Sequence, residues 1–279
     1  MSAEPVEMVV GVVGRPIEHS LSPVLHRAAF QAMDLSWSSV SFDVGTGGGH
    51  AVVEAMRALG IRGLSVTMPL KAEVAKAVDR LREDAALLDS VNCLSLEGAE
   101  VIGSSTDGAG LVAALERSGV VLPGIEALVV GSGGAARSVI AALGRAGAAR
   151  VLVVARDVER AGAAAALAGE IGRAGKERDA AGMGLVIDAT PVGMIGTAQA
   201  SAAPMVSASM IGAGQVAVDL VYEPLETPWL ARARANGAQV LGGLGMLVHQ
   251  AALQIETWTG QPAPVEAMWS AAERAVSAR

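Results

Sequence analysis

Short apolar runs alternate with helical amphipathic patterns along the whole chain, which is the pattern of an α/β protein. The run "MVVGVVG" (8–14) reads as a buried strand. A helix from about Pro23 to Met33 follows, then a strand at "WSSVSFDV" (37–44). The "GTGGGH" stretch reads as a flexible connector into a helix near 51–59, and "GLSVT" (63–67) as a third strand. The spacing Leu70, Val74, Val78, Leu81 predicts a helix over 70–81. "NCLSL" and "EVIGS" read as a hairpin turning around Glu97–Gly98. A second unit is expected to begin near Asp107. Its strands are read at 126–131, 150–155, 184–189, 216–222 and 238–242, with helices between them. A long helix with Leu247, Ala251, Ile255 and Trp258 on one face, and another after the Pro262–Pro264 break, close the chain.

Composition narrows the class. At 279 residues, two domains are the default. Hydrophobic content is 52%, but much of it is Ala, and no apolar run approaches the ~18 residues of a spanning helix. The opening "MSAEPVEMVV" has early glutamates and no basic region, so no signal peptide is expected. Net charge is −7 with scattered basic residues, which argues against nucleic acid or an anionic membrane as a partner. The single cysteine, Cys93, suits a reducing, cytoplasmic setting. His19, His26, His50 and His249 lack metal-ligand spacing, so no metal is expected.

Only three of the 21 basic residues are lysines: Lys71, Lys76 and Lys176. Lys71 falls in the first turn of the helix expected after Pro69. There the helix dipole disfavours a cation by roughly 0.3–1 kcal/mol. It is either an exposed residue tolerating that cost or one placed for chemistry. Upstream, "GRPIEHSLSPVLH" offers Ser22 as an N-cap before Pro23, which leaves Ser20 without a structural task. Two hydroxyls beside a strand end suit either a plain turn or a hydroxylated or carboxylated ligand.

The most specific local feature is "EALVVGSGGAARSVIAALGRAGAARVLVVARDVER". A strand runs into Gly131-x-Gly133-x-x-Ala136, which opens a helix, and a second strand follows. Gly131 permits the tight turn, Gly133 a close approach of backbone to a pyrophosphate, and Ala136 close helix–strand packing. The helix N-terminus then offers its N–H groups to phosphate. At the end of the second strand an acidic residue would bind a ribose 2′-OH, whereas arginine accommodates a 2′-phosphate. Arg156 and Arg160 lie four apart there, and Asp157 between them suits an N-cap. NADP is therefore favoured over NAD.

The segments "PIEHSLSPVLH", "SVTMPLK", "SVNCL", "GSSTDGAGL", "GSGGAAR", "ARDVERA", "DATPVGM", "DLVYEPLETP" and "GLGMLVHQA" occur in that order. With them the chain resembles the shikimate dehydrogenase family over essentially its whole length. The resemblance implies an N-terminal α/β substrate domain, a Rossmann NADP-binding domain of residues 108–242, and C-terminal helices (243–279) returning to the first domain (1–107). It also implies reversible NADPH-dependent reduction of 3-dehydroshikimate to shikimate, by a monomer or homodimer acting on a small molecule. Carried over by position, Lys71 and Asp107 would form the catalytic pair. Ser20, Ser22, Thr67, Asn92, Tyr222 and Gln250 would contact substrate. The cofactor set would be Gly131, Ser132, Gly133, Gly134, Ala135, Ala136, Arg156 and Arg160, with Thr190, Pro191, Met194 and Gly243. From the residues alone, Tyr222 could pack at a domain edge, Asn92 could be a turn residue, Gln250 could lie on a solvated helix face, and Met194 could be loop packing.

The chain departs from the family pattern at four asparagines. It has Ser65-Val66-Thr67 for Asn-Val-Thr, Ser105-Thr106-Asp107 for Asn-Thr-Asp, Ala155-Arg156-Asp157 for Asn-Arg-Thr, and Asp188-Ala189-Thr190-Pro191 for Asn-Ala-Thr-Pro. These changes leave quinate and aminoshikimate open as substrates. A non-catalytic sensor is the alternative from another class, and retention of both Lys71 and Asp107 argues against it.

Overall fold

The structure is a computed structural model and describes residues 7–278. Residues 1–6, on which most of the signal-peptide reading rests, lie outside them. The chain forms two compact units, Met1–Thr106 with Val248–Arg279, and Asp107–Leu247. Elements are numbered along the chain.

The first unit holds strands β1 (Met8–Gly14), β2 (Trp37–Asp43), β3 (Gly63–Val66), β4 (Arg80–Leu81), β5 (Cys93–Glu97) and β6 (Glu100–Ser104). Its helices are α1 (Ser22–Ala32), α2 (Gly49–Leu59), α3 (Lys71–Ala75) and α4 (Glu83–Leu88), with the part of α9 (Leu244–Thr259) from Val248 on, and α10 (Val265–Ser277). The sheet order is β2-β1-β3-β5-β6-β4. β1 pairs in parallel with both β2 and β3, while β5 runs antiparallel to β3 and β6. The chain therefore leaves β1 to one side and returns on its other side. That places a topological switch point at the C-terminal ends of β1 and β3. α10 packs on α1, and Trp258 of α9 is buried, with its Nε1 donating to Leu94 O at 2.9 Å.

Two local expectations change. The helix expected over 70–81 stops at Ala75, and Arg80–Leu81 instead pairs with Ile102–Gly103 of β6. Asp79 N donates to Val101 O (3.1 Å) and Val101 N to the Asp79 carboxylate (2.7 Å), so sheet pairing overrides the helical spacing. A five-residue helix has a weaker dipole than the one expected, so Lys71 meets a smaller penalty. The "GTGGGH" stretch is held rather than loose. Gly47 N and Gly49 N donate to the Glu73 carboxylate at 3.0 and 3.1 Å, which places an anion at the start of α2.

The second unit is a six-stranded parallel sheet of β7 (Glu126–Val130), β8 (Arg150–Val154), β9 (Gly172–Ala174), β10 (Leu185–Asp188), β11 (Val216–Asp219) and β12 (Gln239–Leu241). Its order is β12-β11-β10-β7-β8-β9, the doubly wound dinucleotide-binding arrangement. Here the switch point lies between β7 and β10. Helices α5 (Asp107–Arg117), α6 (Gly134–Arg145) and α7 (Val158–Ala165) help cover one face, where Leu115, Val129, Val139, Val153 and Ile187 form a core. α8 (Pro228–Ala235) covers the other, where Trp229 and Leu230 pack on Leu128, Val186 and Ala217. The short strand β9 has too little alternation to be read from sequence.

Candidate active site

In the first unit the expected residues gather around the switch point. Ser20 and Ser22 follow β1, and Thr67 and Lys71 follow β3. The capping expectation is corrected. Ser22 is the first residue of α1 and its side chain makes no cap bond, whereas Ser20 Oγ accepts from Ser22 N at 3.3 Å. Ser20 thus has a turn role, and Ser22 is buried at 6% exposure.

Asn92 and Gln250 are neither a free turn residue nor a solvated one. Both are buried, and Asn92 Nδ2 donates to Gln250 Oε1 (3.2 Å) and to Thr106 Oγ1 (3.0 Å). Thr106 N returns a bond to Asn92 Oδ1 (2.7 Å), and Thr106 Oγ1 donates to Gln250 O (3.1 Å). Val66 N donates to Asn92 O (2.7 Å) and Val91 N to Lys71 O (3.0 Å). Backbone bonds therefore tie the lysine and the amide pair to the same strand end. A side chain held by such a set of bonds keeps one orientation, which a ligand-reading amide requires.

Behind them lies a buried polar chain that sequence reading missed. His26 Nδ1 faces Ser39 Oγ (2.9 Å), and His26 Nε2 faces Ser65 Oγ (3.3 Å). Ser65 Oγ also donates to Gln254 Oε1, and Gln254 Nε2 donates to Asn92 O (3.0 Å). Ser65, one of the four departures, is thus a partner of His26 and Gln254. Burial, with the nearby Arg27 charge adding to it, lowers the His26 pKa to about 3, so the ring is neutral. Cys93 is buried and its thiol is pushed up to about 12, chiefly by burial, which makes it unreactive at neutral pH.

The second unit holds Asp107, Tyr222 and the expected cofactor residues. Asp107 is the first residue of α5, 6% exposed, at the helix end that favours a carboxylate. The next residue, Gly108, donates its N–H to Ser138 Oγ (2.8 Å) and has no room for a side chain, because a Cβ there would lie 2.3 Å from Ser138 O. Tyr222 is half-buried just beyond β11. Gly243 N donates to Val221 O (3.0 Å) and Gly243 packs on the Leu220 carbonyl, so close packing alone requires a glycine there.

The residues after β7 fit a dinucleotide phosphate. Gly131 has φ +116°, and Gly133 is exposed with open space where a Cβ would stand. Ser132, Gly134 and Ala135 are half-buried around the α6 N-terminus, and Ala136 is buried against the sheet. Arg137 Nε, in the same turn and not singled out from sequence, is buried with no hydrogen-bond partner among the described residues. Asp157 caps α7 as expected, accepting from Glu159 N (3.0 Å) and Arg160 N (3.1 Å). Arg156 and Arg160 flank it, exposed, and neither guanidinium has a protein partner among the described residues. After β10, Thr190, Pro191 and Met194 are half-buried, and Met194 N donates to Pro191 O (3.2 Å). Among the described residues no group of three or more metal-ligating side chains is present, and no helix is long and apolar enough to cross a membrane.

Comparison with known proteins bears on these sites. Residues 12–94 match the shikimate dehydrogenase substrate binding domain, and residues 243–273 the shikimate 5′-dehydrogenase C-terminal domain. The NADP(+) shikimate dehydrogenase of Methanocaldococcus jannaschii is 36% identical, covering 94% of this chain and 95% of its own. The crystal structure of shikimate 5-dehydrogenase from Thermus thermophilus, in complex with NADP(H) and shikimate, superposes with a TM-score of 0.89 at 35% identity. It covers 96% of this chain and 99% of its own. A 5-ketofructose reductase of Gluconobacter is also similar, with a TM-score of 0.84 at 29% identity over 96% of this chain and 99% of its own. On a match of this extent, the chain belongs to the shikimate dehydrogenase family.

Proposed function

We propose that the protein is an NADP-dependent shikimate dehydrogenase that reversibly reduces 3-dehydroshikimate to shikimate. The observation that carries the reading is the buried Asn92–Gln250 bond. It fixes two amides, 158 residues apart, beside the strand end from which Thr67 and Lys71 follow. A polyhydroxylated ring acid needs such a set: hydroxyls of Ser20, Ser22 and Thr67 for its carboxylate and ring oxygens, and fixed amides with Tyr222 for its hydroxyls. Lys71 is the proton donor. Its ammonium stabilises charge developing on the ketone oxygen and delivers the proton that completes the alcohol. In the reverse direction it accepts that proton. Asp107 is proposed as the carboxylate member of the acid–base pair.

NADPH, when bound, supplies the hydride. Gly131 to Ala136 would hold its pyrophosphate and Arg156 with Arg160 its 2′-phosphate, by charge-assisted bonds that NAD cannot make. Thr190, Pro191 and Met194 would line the redox end. A cytoplasmic monomer or homodimer suits a chain whose one cysteine is buried and reduced. The 5-ketofructose reductase keeps a second substrate class, other polyhydroxylated ketones, in view. Following NADPH formation with shikimate, quinate and an aminoshikimate, each with NADP and NAD, tests the reading. Turnover with shikimate and NADP well above every other pairing supports it. No turnover with any ring acid would return the chain to the sensor class.

A further inference from the structure

Asp188 and Asp219 close the parallel strands β10 and β11 and are register partners in the ladder. Adjacent strands lie ~4.8 Å apart, and partners in a parallel pair project from the same face. That face is the one carrying Val186 and Ala217, two residues earlier, against Trp229 and Leu230. Two carboxyl groups therefore emerge side by side under the 190–194 segment, 2% and 1% exposed.

Their hydrogen bonds are unequal. Asp219 Oδ1 accepts from Val221 N (2.9 Å) and Oδ2 from Thr227 Oγ1 (2.7 Å). Asp188 Oδ1 accepts both Thr190 N (2.9 Å) and Thr190 Oγ1 (2.6 Å). Asp188 Oδ2 receives no donor among the described residues, which makes it the place for a proton that its neighbour can accept. Thr190 Oγ1 in turn accepts Val192 N (3.3 Å), so the segment hangs on this carboxyl.

We propose that Asp188 and Asp219 share one proton at neutral pH and act as positioning residues for the Thr190–Met194 segment, which loosens its hold on the cofactor when that proton leaves. The inference rests on the reading of this segment as lining the cofactor's redox end. Two like charges at this spacing in a buried site cannot both ionise without cost. Burial raises both carboxyls, and the Asp188 charge adds to the rise of Asp219, to about 7. Both aspartates line one cavity of about 780 Å³. The one other charged residue lining it is Arg232 of α8, which bonds neither carboxyl. The 192–209 stretch has no ionisable side chain, nor do Val130 and Gln239–Leu241 in the neighbouring strands. The 220–227 loop that bonds Asp219 carries Tyr222, Glu223 and Glu226, the last paired with Arg234, and none of the three lines the cavity. Asp188 is one of the four positions at which the chain departs from the usual family motif, which has asparagine there.

The test compares the unaltered protein with Asp188→Asn, which keeps shape and removes one charge. Tm without cofactor and Kd for NADP are measured from about pH 5.5 to 8.5. In the unaltered protein Tm should fall as pH rises to neutrality, and Kd should rise about fivefold or more across the range. In Asp188→Asn both dependences should shrink, leaving the 2′-phosphate's own titration, which is common to the two proteins. An unchanged Kd profile in the variant overturns the proposal, even if its Tm profile flattens. Failure of the underlying cofactor reading looks different, because then neither protein binds NADP saturably. Should the variant not fold, carboxyl ¹³C NMR of the unaltered protein decides. One aspartate carboxyl changing state near neutral pH supports the shared proton, and full ionisation of both at pH 6 overturns it.

Discussion

Replacing His26 by Gln measures how strongly the buried polar chain of the first unit resists acid. His26 has no exposed surface and sits between Ser39 and Ser65, with Trp258 edge-on at a centroid distance of 5.1 Å. Its pKa falls from 6.5 in the open chain to about 3 in the folded one. Between these values the unfolded chain binds a proton that the folded chain does not. The stability this group contributes is therefore fully present above pH 6.5 and is lost as pH falls toward about 3. The slope is about 1.4 kcal/mol per pH unit, which amounts to about 2 kcal/mol between pH 6.5 and 5. Glutamine does not titrate. It will cost about 1–3 kcal/mol at neutral pH through altered fit and hydrogen bonding, but that cost should not depend on pH. Urea unfolding at pH 7 and 5, followed by tryptophan fluorescence, is the assay. Trp37, Trp258 and Trp269 all lie in the first unit, so the signal reports mainly on it. The unaltered protein should lose about 2 kcal/mol more than His26→Gln between the two pH values. Equal losses would mean that the folded unit admits a proton at His26, and the burial argument would fail.

Lys71→Ala should lower kcat about 10²–10⁴-fold while weakening substrate binding much less. A variant retaining more than about half the rate at saturating substrate would remove Lys71 from the chemistry. Replacing Arg156 and Arg160 together by Ala should weaken NADP binding strongly and NAD binding little, read by titrating each cofactor. Equal losses would assign the arginines to the fold, although neither has a protein partner among the described residues. Gly63→Ala would put a Cβ 2.2 Å from Trp258 Nε1 and displace the ring that bonds Leu94 O. It should cost about 2–4 kcal/mol in a denaturant titration, and a change under ~0.5 kcal/mol would refute the close packing.

Much of the fold was legible because it rests on local pattern. The strand–turn–helix after residue 126 follows from a β-branched run, glycines at set spacing and a helical apolar stripe; the strand read at 126–131 is observed as Glu126–Val130, and the helix opens at Gly134. The Asp157 cap was readable for the same reason, since it depends only on residues 157–160. Asn92, Thr106 and Gln250 show where this stops. Their bonds join residues 14 and 158 positions apart, and the helix-face pattern that placed Gln250 beside Gln254 gave no sign that both amides are buried.

The sequence by itself determined the α/β class, the segments that carry the candidate residues, and the phosphate-binding turn, because each depends on periodicity or on a short motif; the strand order that makes switch points of those segments came from the tertiary structure. Tertiary structure alone decided that 76–81 leaves the helix to pair with β6, that Glu73 pins the glycine loop, and that Ser65 serves His26. It also decided that Asp188 and Asp219, 31 positions apart, stand side by side in register. Each of these is a contact between segments distant along the chain, whose free energy outweighs the small local preferences that sequence periodicity reports.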